Sequence, residues 1–352
     1  MNSSRCWWRM NTSLAVAVTA ILAAQAQCSE TRFSGDAIQL QETIDKSPSG
    51  ATIVCDRQQE LVISETIRIS RPITLSGLRA RLPDGLGKTA MIIVAAPDVV
   101  LSDIQLHGNY ATVTQENRAP MIWLQQGRFD VRNCKFYDGS KDGIMVTPLD
   151  GAGDIVGGRI GNIEAFRMAR DAVSISGGNK GQRVRDVTVE NVSLKRGYLR
   201  GPVEVSDGTD NITVRNVYAE DARYAIDVQD HRGDSGANTN VKVENVQAVR
   251  CKHLIRTANS SRGHAHLVLR NMIARNCEEP VRISNTADVV VENLIIECQA
   301  EANAPPIALN NCQQVQFQNL VLVGLPEGVQ PTLQVDCSAV VLNNVSLPLS
   351  TF

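Results

Sequence analysis

The segments Val189-Glu190-Asn191-Val192-Ser193-Leu194 and Val214-Arg215-Asn216-Val217 carry the phrase that decides the fold. An apolar residue, a polar residue, Asn, then an apolar residue recur far along the chain. Copies stand at Val131-Arg132-Asn133-Cys134, Val243-Glu244-Asn245-Val246, Leu269-Arg270-Asn271-Met272 and Val291-Glu292-Asn293-Leu294. Two more are Phe317-Gln318-Asn319-Leu320 and Leu342-Asn343-Asn344-Val345, and weaker ones centre on Gly77, Asp103 and Asn162. The markers are 22 to 30 residues apart. Propeller blades need about 40 residues, and leucine-rich repeats need an L-x-x-L-x-L phrase that is absent. Each unit instead holds three short alternating strands parted by turns, with no helix between them. That is one coil of a parallel β-helix.

The marker has a physical reason. A tight bend between two strands needs one residue in the left-handed region, which Asn and Gly tolerate. Coils stack about 4.8 Å apart, so successive Asn amides can bond along the axis. Such a ladder is expected to be buried, which makes Asn191 and Asn344 poor glycan acceptors despite their N-x-S context. The expected fold is all-β, a right-handed parallel β-helix of about eleven coils over residues 27–352. Bare ends expose sheet edges and core. At the front, Asp36 and Gln39 form a capping box, and Ala37, Leu40 and Ile44 share one face of a helix reaching Lys46, which predicts a lid. No comparable helix is written after Leu347.

The chain has 352 residues, 43% hydrophobic and 20% charged, with net charge -2. This is ample for a core and excludes a nucleic-acid partner recognised by bulk charge. Residues 1–26 read as a signal peptide: Arg5 and Arg9, an apolar run from Leu14 to Ala24, and an A-x-A site at Ala24-Gln25-Ala26. The run is too short for a membrane span, and no other apolar stretch is long enough. The expected location is secreted, periplasmic or extracellular. Of the nine cysteines, Cys6 leaves with the leader, and there the other eight are free to oxidise. Cys312 and Cys337, and likewise Cys251 and Cys277, hold equal places in successive coils, either as disulfides or as stacked free thiols.

The repeat also aligns the first strand of each coil. Its outward column reads Trp123, Met145, Ser174, Glu204, Asp227, Arg256, Arg282, Ala308 and Gln334. Long turns at Gly177–Gln182, Asp230–Asn240 and Ala258–His264 would wall a groove over it. Glu204 and Asp227 are neighbours in this column, so either one keeps its proton or both hold a cation. Arg256 and Arg282 could take a substrate carboxylate; the alternative is a solvated face with salt bridges such as Asp227 with Arg256. A second column, three residues earlier, reads Asp142, Asp171, Gly201, Tyr224, His253 and Glu279. Trp123 could stack on a sugar, and His231, beside Asp230, could act as a base.

On these residues the chain resembles the pectin-lyase-like β-helix superfamily over nearly all of 27–352. The nearest pattern is that of polygalacturonase-type glycoside hydrolases, with strand signatures N-T-D-G, D-D, G-H-G and R-I-K on consecutive coils. The matching places read Ser140-Lys141-Asp142-Gly143, Arg170-Asp171, Arg200-Gly201-Pro202 and Ile226-Asp227-Val228. Asp142 and Asp171 match family aspartates, while Arg170 replaces the first carboxylate of the D-D pair and removes the expected general acid. The resemblance to pectate-lyase-type members implies another plan: Glu204 and Asp227 hold Ca2+, and Arg256 removes the proton beside a uronate carboxylate, with Lys180, Tyr224 or His231 as substitutes. The expectation is a carbohydrate-active protein that cleaves an acidic polysaccharide by β-elimination or, second, by hydrolysis. The alternative is a non-catalytic β-helix that binds glycan or serves as a surface module.

Overall fold

In a computed structural model of the chain, the described residues are 30–231, 236–258 and 263–347. The signal-peptide reading of 1–26 lies outside them. The backbone winds as a right-handed parallel β-solenoid of about 12 turns, close to the expected number. Two sheets run its length, one of eleven short strands and one of sixteen strands, and every neighbouring pair is parallel. The short-strand sheet begins at Ile67–Ile69 and ends at Thr332–Val335.

From Phe129–Tyr137 onward, each strand of the larger sheet passes through a marker residue and bends there. All eleven markers have positive φ, from 54° at Asn271 and Asn344 to 78° at Gly77. Their amides form an unbroken series: Asn133 Nδ2 donates to Asp103 Oδ1 at 3.2 Å, Asn162 to Asn133 at 2.9 Å, Asn191 to Asn162 at 2.8 Å, and so on to Asn344, which donates to Asn319 at 3.1 Å. One expectation is corrected. The ladder is exposed, because its side chains lie on the outer side of the bend. Each Nδ2 is nevertheless committed to the coil before it.

Inside the solenoid, alternate residues stack as columns of like apolar side chains. Ile122, Ile144, Val173, Val203, Ile226 and Ile255 are at most 1% exposed and pair coil on coil. Burial of such columns on folding contributes about 25 cal/mol per Å2 of apolar surface. Cys251 and Cys277 face each other as free thiols, as do Cys312 and Cys337.

The front end is closed as the capping box predicts. Helix Ala37–Lys46 starts at Asp36, whose Oδ1 accepts from Gln39 N at 2.9 Å, and Leu40 and Ile44 are fully buried. Gln41 completes the lid by satisfying the edge strand: its Oε1 accepts from Arg68 N at 2.7 Å and its Nε2 donates to Arg68 O at 3.1 Å. The far end differs. Ala308 pairs with Leu333, not Gln334. Ala308 and Leu333 each stand eleven residues before their own marker, so the true register keeps that distance. Thr332 and Gln334 therefore take the inward places of the last coil, and Leu333, Val335 and Leu347 are exposed.

Candidate functional site

The strands Val173–Ser176, Val203–Ser206 and Tyr224–Gln229 lie side by side in the short-strand sheet, with Ser174, Glu204 and Asp227 in register. The column is right, but its expected exposure is not. Ser174 is 3% exposed, and Glu204 and Asp227 are 0% exposed. They point outward and are roofed by guanidinium groups from the neighbouring turn. Burying a carboxylate this way is tolerable only when it is paired and hydrogen-bonded.

Glu204 is the hub. Its Oε2 accepts from Ser174 Oγ at 3.0 Å and lies 3.5 Å from Arg170 Nη2. Its Oε1 contacts Arg200 Nη1 and Gln229 Nε2 closely and lies 3.3 Å from His231 Nε2. Asp171 sits below, fully buried, and accepts from Tyr224 OH at 2.8 Å. Arg200 Nη1 is 3.5 Å from Asp171 Oδ2, and Arg170 Nε is 3.3 Å from Asp142 Oδ1. That last contact is an ion pair without an aligned hydrogen bond, and Asp142 Oδ2 is buried with no partner among the described residues. Gly201 makes the close approach possible: a Cβ there would lie 1.8 Å from the Tyr224 carbonyl oxygen.

His231 closes one side of the roof. Its Nδ1 meets Asp207 Oδ2 at 3.0 Å, and its backbone N donates to Asp207 Oδ1 at 2.6 Å. Ser176 Oγ also donates to Asp207 Oδ2, at 2.8 Å. Beneath this turn, Asn238 accepts from Gly208 N and Thr209 N and donates to Asp230 Oδ1 at 2.9 Å, which fixes the turn against the coil. His231 Nε2 then faces Arg200 Nη2 and Gln229 Nε2, each at 3.1 Å. On the next coil, Arg256 grips Asp227 and also donates to Gln229 Oε1 at 3.0 Å.

The electrostatics follow from this layering. Burial, then the charges of Glu204 and Asp142, raise the Asp171 carboxyl well above the ordinary range. Burial acts on Glu204 too, but the hydrogen bond from His231 and the charges of Arg200 and Arg170 outweigh it and hold this carboxyl at about 2. His231 is lifted to about 9, first by Asp207 and then by Glu204. Burial raises Asp227 against the opposing pull of Arg256. Five carboxyl groups thus share four cationic side chains, Arg170, Arg200, His231 and Arg256. A proton kept on Asp171 relieves the mismatch.

Of the residues singled out in the sequence, Asp142, Asp171, Glu204, Tyr224, Asp227, His231 and Arg256 join this one network. The salt bridge of Asp227 with Arg256, expected as the alternative to a substrate clamp, is formed. Trp123 stands two strands away from Ser174, with its indole N donating to Thr147 O at 3.0 Å. Lys180 is exposed in the turn after Ser176. Arg282 points to Glu279 at 3.2 Å, beyond Arg256. Sequence reading gave no role to Arg200, Asp207 and Gln229. A signal for the arginines was present: the residue before each of the first five members of the second column reads Lys141, Arg170, Arg200, Arg223 and Lys252.

Glu204 and Asp227 were the expected Ca2+ ligands. Calcium takes six to eight oxygen ligands. Here the oxygens of Glu204 meet two guanidiniums, a hydroxyl, an amide and an imidazole, and both oxygens of Asp227 meet Arg256. This donor set does not fit the ion, and no step below passes through it.

No protein-family model matches the chain, and no curated protein matches its sequence. Solved structures share the fold at low identity. The pre-mature gene product 12 of bacteriophage phi29 superposes with a TM-score of 0.66 at 15% identity, over 89% of this chain and 49% of that one. This chain thus spans about half the phage protein's length. The A-module of the Azotobacter vinelandii mannuronan C-5 epimerase gives 0.64 at 11% identity, over 90% and 92% of the two chains. A PL6 alginate lyase in complex with a trisaccharide gives 0.58 at 9% identity, over 94% and 88%. The fold implied by the pectin-lyase-like resemblance is the fold observed. No helix among the described residues is long and apolar enough to cross a membrane.

Proposed function

We propose that the chain is a secreted protein acting on an acidic, uronate-containing polysaccharide, and that it cleaves by β-elimination. The observation that carries this is the layering of cations over acids. Asp142, Asp171 and Glu204 are at most 1% exposed, while the side chains of Arg170, Arg200 and His231 are 25%, 21% and 32% exposed. Hydrolysis needs a carboxylic acid that reaches the glycosidic oxygen. Here the acids lie under the roof, and what meets a substrate is cationic.

β-Elimination asks for those groups. A uronate carboxylate must be neutralised so that the adjacent C–H becomes acidic, and a base must take that proton. Guanidinium stays charged at any working pH and fits a carboxylate with two donors. Nη1 of Arg170 carries no hydrogen bond among the described residues and is available. Asp207 holds the tautomer of His231 with the proton on Nδ1, leaving Nε2 as the base beside Arg200. Nε2 takes the C5 proton, the C5–H electron pair becomes the C4–C5 double bond, the C4–O bond breaks, and the imidazolium returns the proton to the leaving oxygen. Charging of His231 then strengthens its contact with Glu204, which stabilises the imidazolium formed in this step.

A non-catalytic glycan module is the second reading. It is favoured by the saturation of Glu204, which already meets five side chains. The purified protein is incubated with uronate polymers, with and without EDTA, and followed by ultraviolet absorbance of unsaturated ends and by reducing sugar. Both signals rising together, indifferent to EDTA, is the expected result. Reducing ends without absorbance would mean hydrolysis, and binding without either product would mean a module.

A further inference from the structure

A cationic column runs through the network, and beyond Arg170 and Arg200 its members take no part in it. The column Lys141, Arg170, Arg200, Arg223, Lys252 stacks coil on coil, with Arg170 N donating to Lys141 O at 3.3 Å and Arg223 N to Arg200 O at 3.2 Å. At its front end the column opens into a cleft of about 380 Å3, lined by Arg118, Lys141, Glu116 and Leu199 and bordered by Arg170 and Arg200. Arg118 and Lys141 form no ion pair with any described residue, and Arg118 Nε is buried without a hydrogen-bond partner. An unpartnered buried N–H is costly.

An aromatic pair stands beside the cleft, next to its lining residues Leu199 and Arg118. Tyr198, 48% exposed, stacks on Tyr110 with centroids 4.8 Å apart and an interplanar angle of 14°. The guanidinium of Arg118 lies 5.0 Å from the Tyr110 ring centroid. That contact holds Arg118 in place while leaving its fork free for a planar anion. Leu199, 43% exposed, lines the cleft and follows Tyr198 in the chain. Cations beside an exposed ring and a carboxylate, Glu116, suit an acidic pyranose: a charged group, an apolar ring face and hydroxyls that donate.

We propose that this cleft is a second acid-sugar subsite. It takes a neighbouring uronate unit of the polysaccharide, with its carboxylate between Arg118 and Lys141 and its ring face on Tyr198. The assignment rests on the reading of the chain as an acidic-polysaccharide protein, but it uses residues outside the elimination step. Calorimetric titration of the whole chain near pH 6, where His231 is protonated and turnover is slow, tests it. The probes are a short uronate oligosaccharide, its methyl ester, a sulfated neutral oligosaccharide and single-stranded DNA. Arg118→Gln and Lys141→Gln should each weaken uronate binding about tenfold, Tyr198→Ala by a similar factor and Tyr198→Phe little, with melting temperatures unchanged; one factor of ten is a single lost charge-assisted contact. The methyl ester should bind at least about tenfold more weakly than the acid. Uronate binding or cleavage that is unchanged in the Arg118→Gln/Lys141→Gln double variant would overturn the subsite alone. Sulfated sugar or DNA bound as tightly as the uronate would overturn its assignment to a sugar acid. No uronate binding by the wild-type chain would overturn the subsite and the proposed function together.

Discussion

Arg256 holds Asp227 from the adjoining coil, with Nε donating to Oδ1 at 2.8 Å and Nη2 to Oδ2, over a carboxylate that is 0% exposed. Removing one partner strands the other charge in a dry place. Asp227→Ala is therefore expected to cost about 3–5 kcal/mol in chemical denaturation, whereas a paired Asp227→Leu/Arg256→Met change should restore most of it. A single variant as stable as the double one would show that the pair is solvated.

The asparagine ladder makes a second expectation. Asn216 donates to Asn191 at 2.8 Å, accepts from Asn245 at 3.0 Å, and has a φ of 57°. Asn216→Ala loses two bonds and places a Cβ residue without side-chain compensation in the left-handed region, a cost of about 2 kcal/mol. Asn216→Gly keeps the backbone at ease and should cost about half as much. Denaturation midpoints of the two variants compare the bend with the bonds, and equal losses would leave conformation with no share.

His231 sets the pH dependence of stability. It titrates near 9 in the fold against 6.5 ordinarily. The folded state therefore holds a proton that the unfolded chain has lost, and the contribution is fully present below about 6.5 and lost as pH rises through about 9. Glu204 runs the other way, held at about 2 against 4.5, so its contribution is present above about 4.5 and lost as pH falls through about 2. The raised Asp171 subtracts stability once pH exceeds its ordinary range. Melting temperature should fall between pH 6.5 and 9, and His231→Gln should flatten that limb. An unchanged slope in the variant would move the titration elsewhere.

Much of this arrangement is legible in the sequence. The marker asparagines gave the bends, the coil register and, through it, the alignment of Ser174, Glu204 and Asp227, because parallel stacking copies sequence position into space. Exposure was not legible. Alternation says that Glu204 points outward, but whether it meets water depends on Arg170 and Arg200 folding over it from a turn. Side-chain length and turn geometry decide that, and periodicity carries neither. The Asp207–His231 contact was hidden for a related reason: it joins successive coils through a left-handed Asp207, with φ of 58°, at a turn whose shape no repeat dictates. The last coil teaches the converse, since its distance to the marker places Leu333, not Gln334, beside Ala308.

The most direct measurement is the pH–rate profile for release of unsaturated ends from a uronate polymer, in the wild-type chain and in His231→Gln. With His231 as the base, the wild-type rate should climb toward a plateau near pH 9, and the variant should lose about 10²-fold or more with no such limb. Elimination that proceeds in His231→Gln at the wild-type rate, or with the same profile, would contradict the account.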